Sequence, residues 1–266
     1  MPLALCATPI GNLDDITLRV LAELREADVV LAEDTRHTRG LLERHGIRAK
    51  LLSYHEHNEA ARVAELLPRL QAGERIALVT DAGMPAVSDP GARLVRAALD
   101  AGLPVTVLPG PSAVETALVA SGLGGGPYAF VGFLPRKAGE LETLWRETAA
   151  WGISVVAFES PQRLPASLRS LASFDAAREV AVCRELTKRF EEIARGPASE
   201  IAERFAEAPK GEITLVVASG SVEADSDEAR AAVAELVAAG TPRRVAADVV
   251  ARLTDMSRND LYRGSL

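Results

Sequence analysis

With 266 residues the chain can bury a core without disulfides or structural metal, and its two cysteines, Cys6 and Cys183, lie far apart with no C-x-x-C pair. This fits a reduced cytosolic protein better than a secreted one. A formal net charge of -7 and a pI near 5.3 exclude a chain that coats nucleic acid nonspecifically, because phosphate binding rests on basic surface. A local cleft lined by arginine, the dominant basic residue here, stays open.

The opening Met1-Pro2-Leu3-Ala4-Leu5 has no basic residue before its apolar run, and no stretch approaches the roughly 18 apolar residues of a membrane span. A cytoplasmic protein without a membrane partner is expected. Leu3 to Ala7, Val29 to Ala32, Leu51 to Ser53, Ile76 to Thr80 and Val105 to Leu108 read as buried strands alternating with helical patterns. Such alternation predicts a parallel sheet covered by helices. A helix over Leu18 to Glu26 follows an N-cap at Thr17, another follows Asn58 with Val63, Leu66, Leu67 and Leu70 at helical spacing, and a third runs from Ala92 to Asp100 between Pro90-Gly91 and Gly102. After the second strand come Glu33, Asp34, Thr35, Arg36, His37, Thr38 and Arg39, seven polar residues without a break. A charged helix start explains Glu33 and Thr35 but not Arg36, His37 and Arg39, which suit the positive end of a helix poorly.

Gly122-Leu123-Gly124-Gly125-Gly126-Pro127 is the strongest break and predicts a linker. Beyond it Tyr128 to Gly132, Ser154 to Phe158, Glu179 to Cys183, Glu191 to Ala194 and Ile213 to Ala218 read as strands of a mixed sheet, with helices near 139–150, 162–173 and 198–207. An acidic surface turn at Glu223, Asp225, Asp227 and Glu228 precedes three short helices, Ala229 to Ala239, Arg243 to Leu253 and Ser257 to Tyr262.

Ligands of open α/β sheets bind beyond the carboxyl ends of the strands, which draws attention to four loops. They are Thr8 to Asp15, Glu33 to His37, Asp81-Ala82-Gly83-Met84-Pro85 with Ser88-Asp89-Pro90-Gly91, and Pro109-Gly110-Pro111-Ser112. The first has one glycine where a dinucleotide fingerprint needs three, and no triphosphate loop exists. Ser112-Ala113-Val114-Glu115 reads as a capping box opening a helix whose free N–H groups suit a carboxylate, against the plainer reading of a capped core helix. Asp81 suits a ribose diol or an ammonium, or merely an Asx turn, and Gly83 admits close backbone approach. Together the two loops fit a ligand with carboxylate, amine and ribose, and S-adenosylmethionine has all three. His55 and His57 lack metal-hydrolase spacing, so no metal is expected, and no G-x-S-x-G elbow occurs.

Ala7-Thr8-Pro9-Ile10-Gly11-Asn12-Leu13, Ala32-Glu33-Asp34-Thr35-Arg36-His37-Thr38, Ser53-Tyr54-His55-Glu56-His57-Asn58-Glu59, the Asp81 to Pro85 and Ser88 to Gly91 loops, and Leu108 to Ala113 closely resemble the bacterial ribosomal RNA small subunit methyltransferase I family, a branch of the tetrapyrrole methylase fold. Gly132-Phe133-Leu134-Pro135, Phe158-Glu159-Ser160-Pro161, Arg184-Glu185-Leu186-Thr187-Lys188 and Lys210-Gly211-Glu212-Ile213 continue the match, which covers essentially the whole chain. The resemblance implies two α/β domains, 1–121 and 127–220, with S-adenosylmethionine between them, and a helical module over 225–266. It also implies a homodimer that methylates the ribose 2'-hydroxyl of a cytidine in the decoding region of small-subunit ribosomal RNA, free or in the assembled small subunit. Carried onto this sequence, the cofactor site comprises Pro9, Asp81, Ala82, Gly83, Pro85, Ser112, Ala113, Phe158, Glu159, Lys210 and Gly211. Arg243, Arg244, Arg252, Arg258 and Arg263 would contact RNA phosphates or simply face solvent, and an aromatic in Leu186 to Phe190 would stack on a base.

A ribose hydroxyl needs a proton acceptor beside it, and Asp34, His37, His55, Glu56 and Glu59 are candidates, with Asp34 preferred. Arg36 joins Asp34, His37 and Glu56 as catalytic, while Asn12, Arg39, His55, Glu59, Arg184, Glu185 and Lys188 are expected to bind substrate. A porphyrinoid methyltransferase of the same fold and a noncatalytic ribosome-binding factor are the alternatives. The arginines and histidine after the second strand weigh against the first, and the intact cofactor loops against the second.

Overall fold

In the computed structural model, residues 2–220, 226–254 and 256–264 are described. The first half runs β1 (Leu3–Cys6), α1 (Leu18–Glu26), β2 (Val29–Ala32), α2 (Thr35–Arg44), β3 (Leu51–Ser53), α3 (Glu59–Gln71), β4 (Ile76–Leu78), α4 (Ala92–Asp100), β5 (Val105–Leu108) and α5 (Ala113–Ser121). Its five strands form an all-parallel sheet in the order β3-β2-β4-β1-β5. Alternation along β1 sends Ala4 and Cys6 to one face, against Val20, Leu24, Leu41 and Leu42 of α1 and α2. Leu3 and Leu5 go to the other, against Leu66, Leu70 and Leu94 of α3 and α4. Thr17 caps α1 by accepting the Val20 N–H, as its position predicts.

Gly122, left-handed at φ 73°, ends α5 and begins the connection to a second sheet. That half contains β6 (Tyr128–Phe133), α6 (Ala138–Ala150), β7 (Ser154–Glu159), α7 (Leu164–Phe174), β8 (Glu179–Arg184), β9 (Glu192–Pro197), α8 (Ala198–Arg204) and β10 (Ile213–Val217). The sheet is mixed, as expected, in the order β6-β7-β10-β8-β9 with β6 and β7 parallel and the other pairs antiparallel. Although α5 closes the first half in sequence, it packs on this second sheet. Its Val114, Ala117 and Leu118 share a core with Val156, Ala181, Cys183 and Val216. Both sheets accordingly belong to one compact unit, Met1–Glu142 with Ser154–Ala218.

Thr143–Ile153 and Ser219–Leu266 form a second unit. Here α9 (Ser226–Ala238), α10 (Arg243–Leu253) and α11 (Arg258–Gly264) bury Val233, Ala246, Ala247 and Leu261. The acidic turn expected at Glu223 and Asp225 lies outside the described residues, and Asp227 and Glu228 fall within α9 rather than in a turn. Arg244, Arg252, Arg258 and Arg263 are exposed and Arg243 half-buried, with Arg252 near Asp248 at 3.7 Å. Among the described residues no helix is long and apolar enough to cross a membrane.

Candidate active site

The loops after β1 and β4 are bonded to each other: the Thr8 N–H donates to the Gly83 carbonyl at 2.8 Å and the Gly83 N–H to the Thr8 carbonyl at 3.1 Å. Gly83 takes φ 79°, which glycine adopts freely, and a Cβ there would stand 3.7 Å from Ile10 Cγ2 and 3.9 Å from the Pro111 carbonyl. Opposite stands the start of α5. Ser112 is its N-cap residue, but the expected capping box does not form. The Ser112 hydroxyl donates to the Glu115 carboxylate and accepts no helix N–H.

The second sheet completes the enclosure, because the antiparallel register sets Ile213 at the start of β10 beside both Glu159 at the end of β7 and Arg184 at the end of β8. Between these elements lies a cavity of about 670 Å³, lined by Ile10, Asp81 to Met84, Val87 to Asp89, Ser112 to Val114, Phe133, Phe158 to Gln162, Cys183, Leu186 and Gly211 to Thr214. That volume falls within the range of small-molecule sites. Phe158 is packed edge-on by Phe130 at 4.9 Å and Phe133 at 5.5 Å, and Phe133 stays 59% exposed. Glu159 is buried, yet satisfied by the Ser160 N–H at 2.7 Å, the Ser167 hydroxyl at 2.5 Å and the Arg163 guanidinium.

A turn after β8 braces the two halves. Glu185 and Thr187 are left-handed at φ 53° and 65°, conformations that cost a non-glycine residue energy. The Thr187 hydroxyl accepts the Asn12 N–H at 2.9 Å. The turn lies so close to Gly11 that a Cβ there would stand 2.8 Å from the Leu186 carbonyl. Glu185 accepts from Lys188 at 2.9 Å and from the Glu212 N–H at 3.1 Å, and the Lys188 ammonium beside it holds its carboxyl below the usual range.

Asp34 differs most from expectation. It is the N-cap of α2, accepting the Arg36 N–H at 2.8 Å, and the Arg36 guanidinium grips it through Nε at 3.1 Å and Nη2 at 2.7 Å. Those bonds hold its carboxyl well below the ordinary range, so Asp34, the base preferred from the sequence, stands engaged with Arg36. Arg36, doubtful as a helix-start residue by sequence, sits in the first turn because this carboxylate offsets its charge. Asp81 Oδ1 accepts the Asp34 N–H at 3.1 Å, so the start of α2 adjoins the cavity wall.

Of the residues expected to hold cofactor, Asp81, Ala82, Gly83, Ser112, Ala113, Phe158, Glu159 and Gly211 line the cavity. Pro9 and Pro85 are buried and do not line it, and Lys210 is exposed, its carbonyl accepting from Arg184. None of Asn12, Asp34, Arg36, His37, Arg39, His55, Glu56, Glu59, Arg184, Glu185 or Lys188 is among its lining residues. Arg36, His37, Arg39 and Glu56 are exposed. Glu59 is already engaged, accepting the Tyr54 hydroxyl at 2.9 Å and the Gly91 N–H at 3.1 Å. Arg184 pairs with Glu192 at 2.8 Å. His55 Nε2 meets Asn58 at 3.1 Å while its buried Nδ1 has no partner among the described residues. Sequence reasoning passes over Asp89 and Phe133 as site residues, although both stand inside motifs it singles out.

A parallel sheet joined to a mixed one, with a cavity at the strand ends of both, defines the fold of the tetrapyrrole (corrin/porphyrin) methylases, whose family model matches residues 2–202. The solved methyltransferase CobJ shares it at TM-score 0.63 and 19% identity, covering 82% of this chain and 93% of that one. Cobalt precorrin-4 methyltransferase shares it at TM-score 0.59 and 21% identity, covering 81% and 94%. Within that class the chain is 42% identical to the ribosomal RNA small subunit methyltransferase I of Streptococcus pyogenes serotype M1, across 98% of this chain and 93% of the relative. It is 44% identical to that of Mesorhizobium japonicum, across 98% and 90%. The chain belongs to the ribosomal RNA small subunit methyltransferase I family.

Proposed function

We propose that this protein transfers a methyl group from S-adenosylmethionine to the 2'-hydroxyl of a cytidine ribose in the decoding region of small-subunit ribosomal RNA. The observation that carries this reading is the cavity, whose lining combines carboxylates, an open helix start and apolar side chains. The residues present fit the cofactor. N–H groups at the start of α5, left without a Ser112 cap, suit its carboxylate, Asp81 suits its ammonium or ribose, and Ile10, Phe158 and Leu186 offer apolar surface to its base. When bound, it supplies an electrophilic methyl carbon.

Positioning carries much of the rate of such a transfer. The exposed Arg36, His37 and Arg39 of α2 adjoin the cavity wall through the Asp34 to Asp81 bond, so RNA phosphates are assigned to this side. Phe190, 66% exposed beneath the Arg189 guanidinium, is assigned to base stacking. The same reading takes 1–121 and 127–220 as the two domains of a homodimeric cytoplasmic enzyme and the 225–266 helices as an RNA-contacting module.

Purified small subunits lacking the modification, incubated with labelled cofactor and digested to nucleosides, should yield 2'-O-methylcytidine. Transfer to a porphyrinoid in a parallel assay, with none to RNA, would replace this proposal.

A further inference from the structure

A ribose hydroxyl attacks a methyl carbon only as its proton departs. On the reading of the cavity as a ribose methylation site, the acceptor therefore has to face the space where the two meet. Asp34 does not line the cavity and spends both carboxylate oxygens on Arg36. Glu59 is occupied by Tyr54 and Gly91, and Glu159 by Arg163, Ser160 and Ser167. Of the aspartates that line the cavity, Asp81 accepts the Asp34 N–H. The other is Asp89.

The loop leading to Asp89 is built to turn it inward. Ala86 and Ser88 are both left-handed, at φ 66° and 63°, as are Gly83 at 79° and Gly91 at 141°. A Cβ at Gly91 would meet Leu78 Cδ2 at 2.8 Å, so glycine's lack of a side chain lets the loop close against β4. Non-glycine residues held in this region mark places where the surrounding structure imposes a conformation. Asp89 arrives beside the buried Thr80 hydroxyl, which also bonds Glu33 at 3.4 Å. One hydroxyl proton cannot serve both carboxylates at once.

We propose that Asp89 is the proton acceptor of the methyl transfer. The 2'-O–H bond breaks with its proton passing to an Asp89 oxygen, the freed pair forms the O–CH3 bond, and the CH3–S bond breaks with its pair left on sulfur. The sulfonium becomes a thioether, and Asp89 returns its proton to water before the next turnover. Burial first, then the charge of Glu33, raises Asp89 to about 6 against the pull of the Thr80 hydroxyl, with Asp81 adding to the rise. A carboxyl titrating there is a far better acceptor near neutral pH than an ordinary one. The other ionisable groups around this cluster are Glu33, itself raised by burial and Asp81, and His55, whose charge opposes that rise.

The test measures single-turnover methyl transfer to unmodified small subunits between pH 5 and 8.5, with binding of S-adenosylhomocysteine followed by calorimetry. Wild type should show an acid limb of unit slope with a midpoint within about one pH unit of 6. Asp89→Asn should lose about 100-fold or more in rate and lose that limb, while product affinity stays within about threefold. Asp34→Asn should keep the limb. A flat wild-type profile overturns the assignment without any variant, and so does Asp89→Asn transferring at more than a third of the wild-type rate. An inactive wild type overturns the ribose reading and this assignment together, whereas an active wild type with an active Asp89→Asn overturns the assignment alone.

Discussion

Glu159, at the end of β7, and Arg163, at the N-cap of α7, form an ion pair in which the Glu159 side chain is 0% exposed and the Arg163 side chain 28% exposed. Arg163 also donates to the Leu134 carbonyl at 3.0 Å, which ties the end of β6 to the turn that lines the cavity. Removing one partner of a buried pair strands the other charge. Because Ser160 and Ser167 still bond Glu159 and water reaches Arg163, Arg163→Ala should cost about 2–3 kcal/mol rather than the full penalty, read as a lower midpoint in urea at unchanged slope.

Gly11 is required for its size, not for its backbone angle. A methyl group would meet Lys188 Cγ at 2.5 Å, Thr187 Oγ1 at 2.7 Å and the Leu186 carbonyl at 2.8 Å, and the carbonyl cannot rotate aside as a side chain can. Gly11→Ala should therefore cost about 1–3 kcal/mol and, because Leu186 lines the cavity, weaken S-adenosylhomocysteine binding in calorimetry. Unchanged affinity would detach the brace from the site.

Asp34→Asn and Arg36→Ala should leave cofactor affinity intact, since neither side chain lines the cavity. Both should raise the KM for small subunits by removing a cation, or the group that orients it, from the proposed RNA side. Calorimetry that showed lost cofactor affinity in either variant would move these residues to the other side of the site.

Asp89 makes stability depend on pH in a stated direction. A carboxyl raised from 3.8 to about 6 on folding contributes stability that is full below about pH 4 and is lost as pH rises through 6. Asp89→Asn should thus be more stable than wild type at pH 7.5, by about 1 kcal/mol after solvent screening. A gain of a few degrees in Tm is expected for a chain of this size, and it should vanish near pH 4. An equal or lower Tm at pH 7.5 would contradict the crowding of acids around Thr80.

Cys6 and Cys183 are buried, and burial pushes their thiols up to about 12 and about 11. Neither should react with a thiol reagent at pH 8 until the protein is unfolded. Rapid labelling of Cys183, which lines the cavity, would mean that the site opens in solution.

Much of this is legible in the sequence because it is local. Alternation and short apolar runs place the strands, Thr17 and Gly122 mark helix ends, and the glycine and proline motifs after β1, β4 and β5 locate the loops that do line the cavity. The strand β4 stops at Leu78, two residues before its apolar run suggests. Helix α2 is hard to read locally, because three basic residues near a helix start look unfavourable until the Asp34 cap is counted.

Which carboxylate is free is not local. Asp34 and Arg36 are two residues apart, but whether they bind each other or a ligand depends on the turn of α2 that sets the guanidinium across the cap. Glu33, Asp81 and Asp89 are neighbours only because β2 and β4 lie side by side and a left-handed loop folds back over their ends. The sequence by itself determined the sheets, the loops and the residue types that surround the site. The tertiary structure alone decided which acid is neutralised and which is crowded, because burial and the distance between charges are properties of folded space.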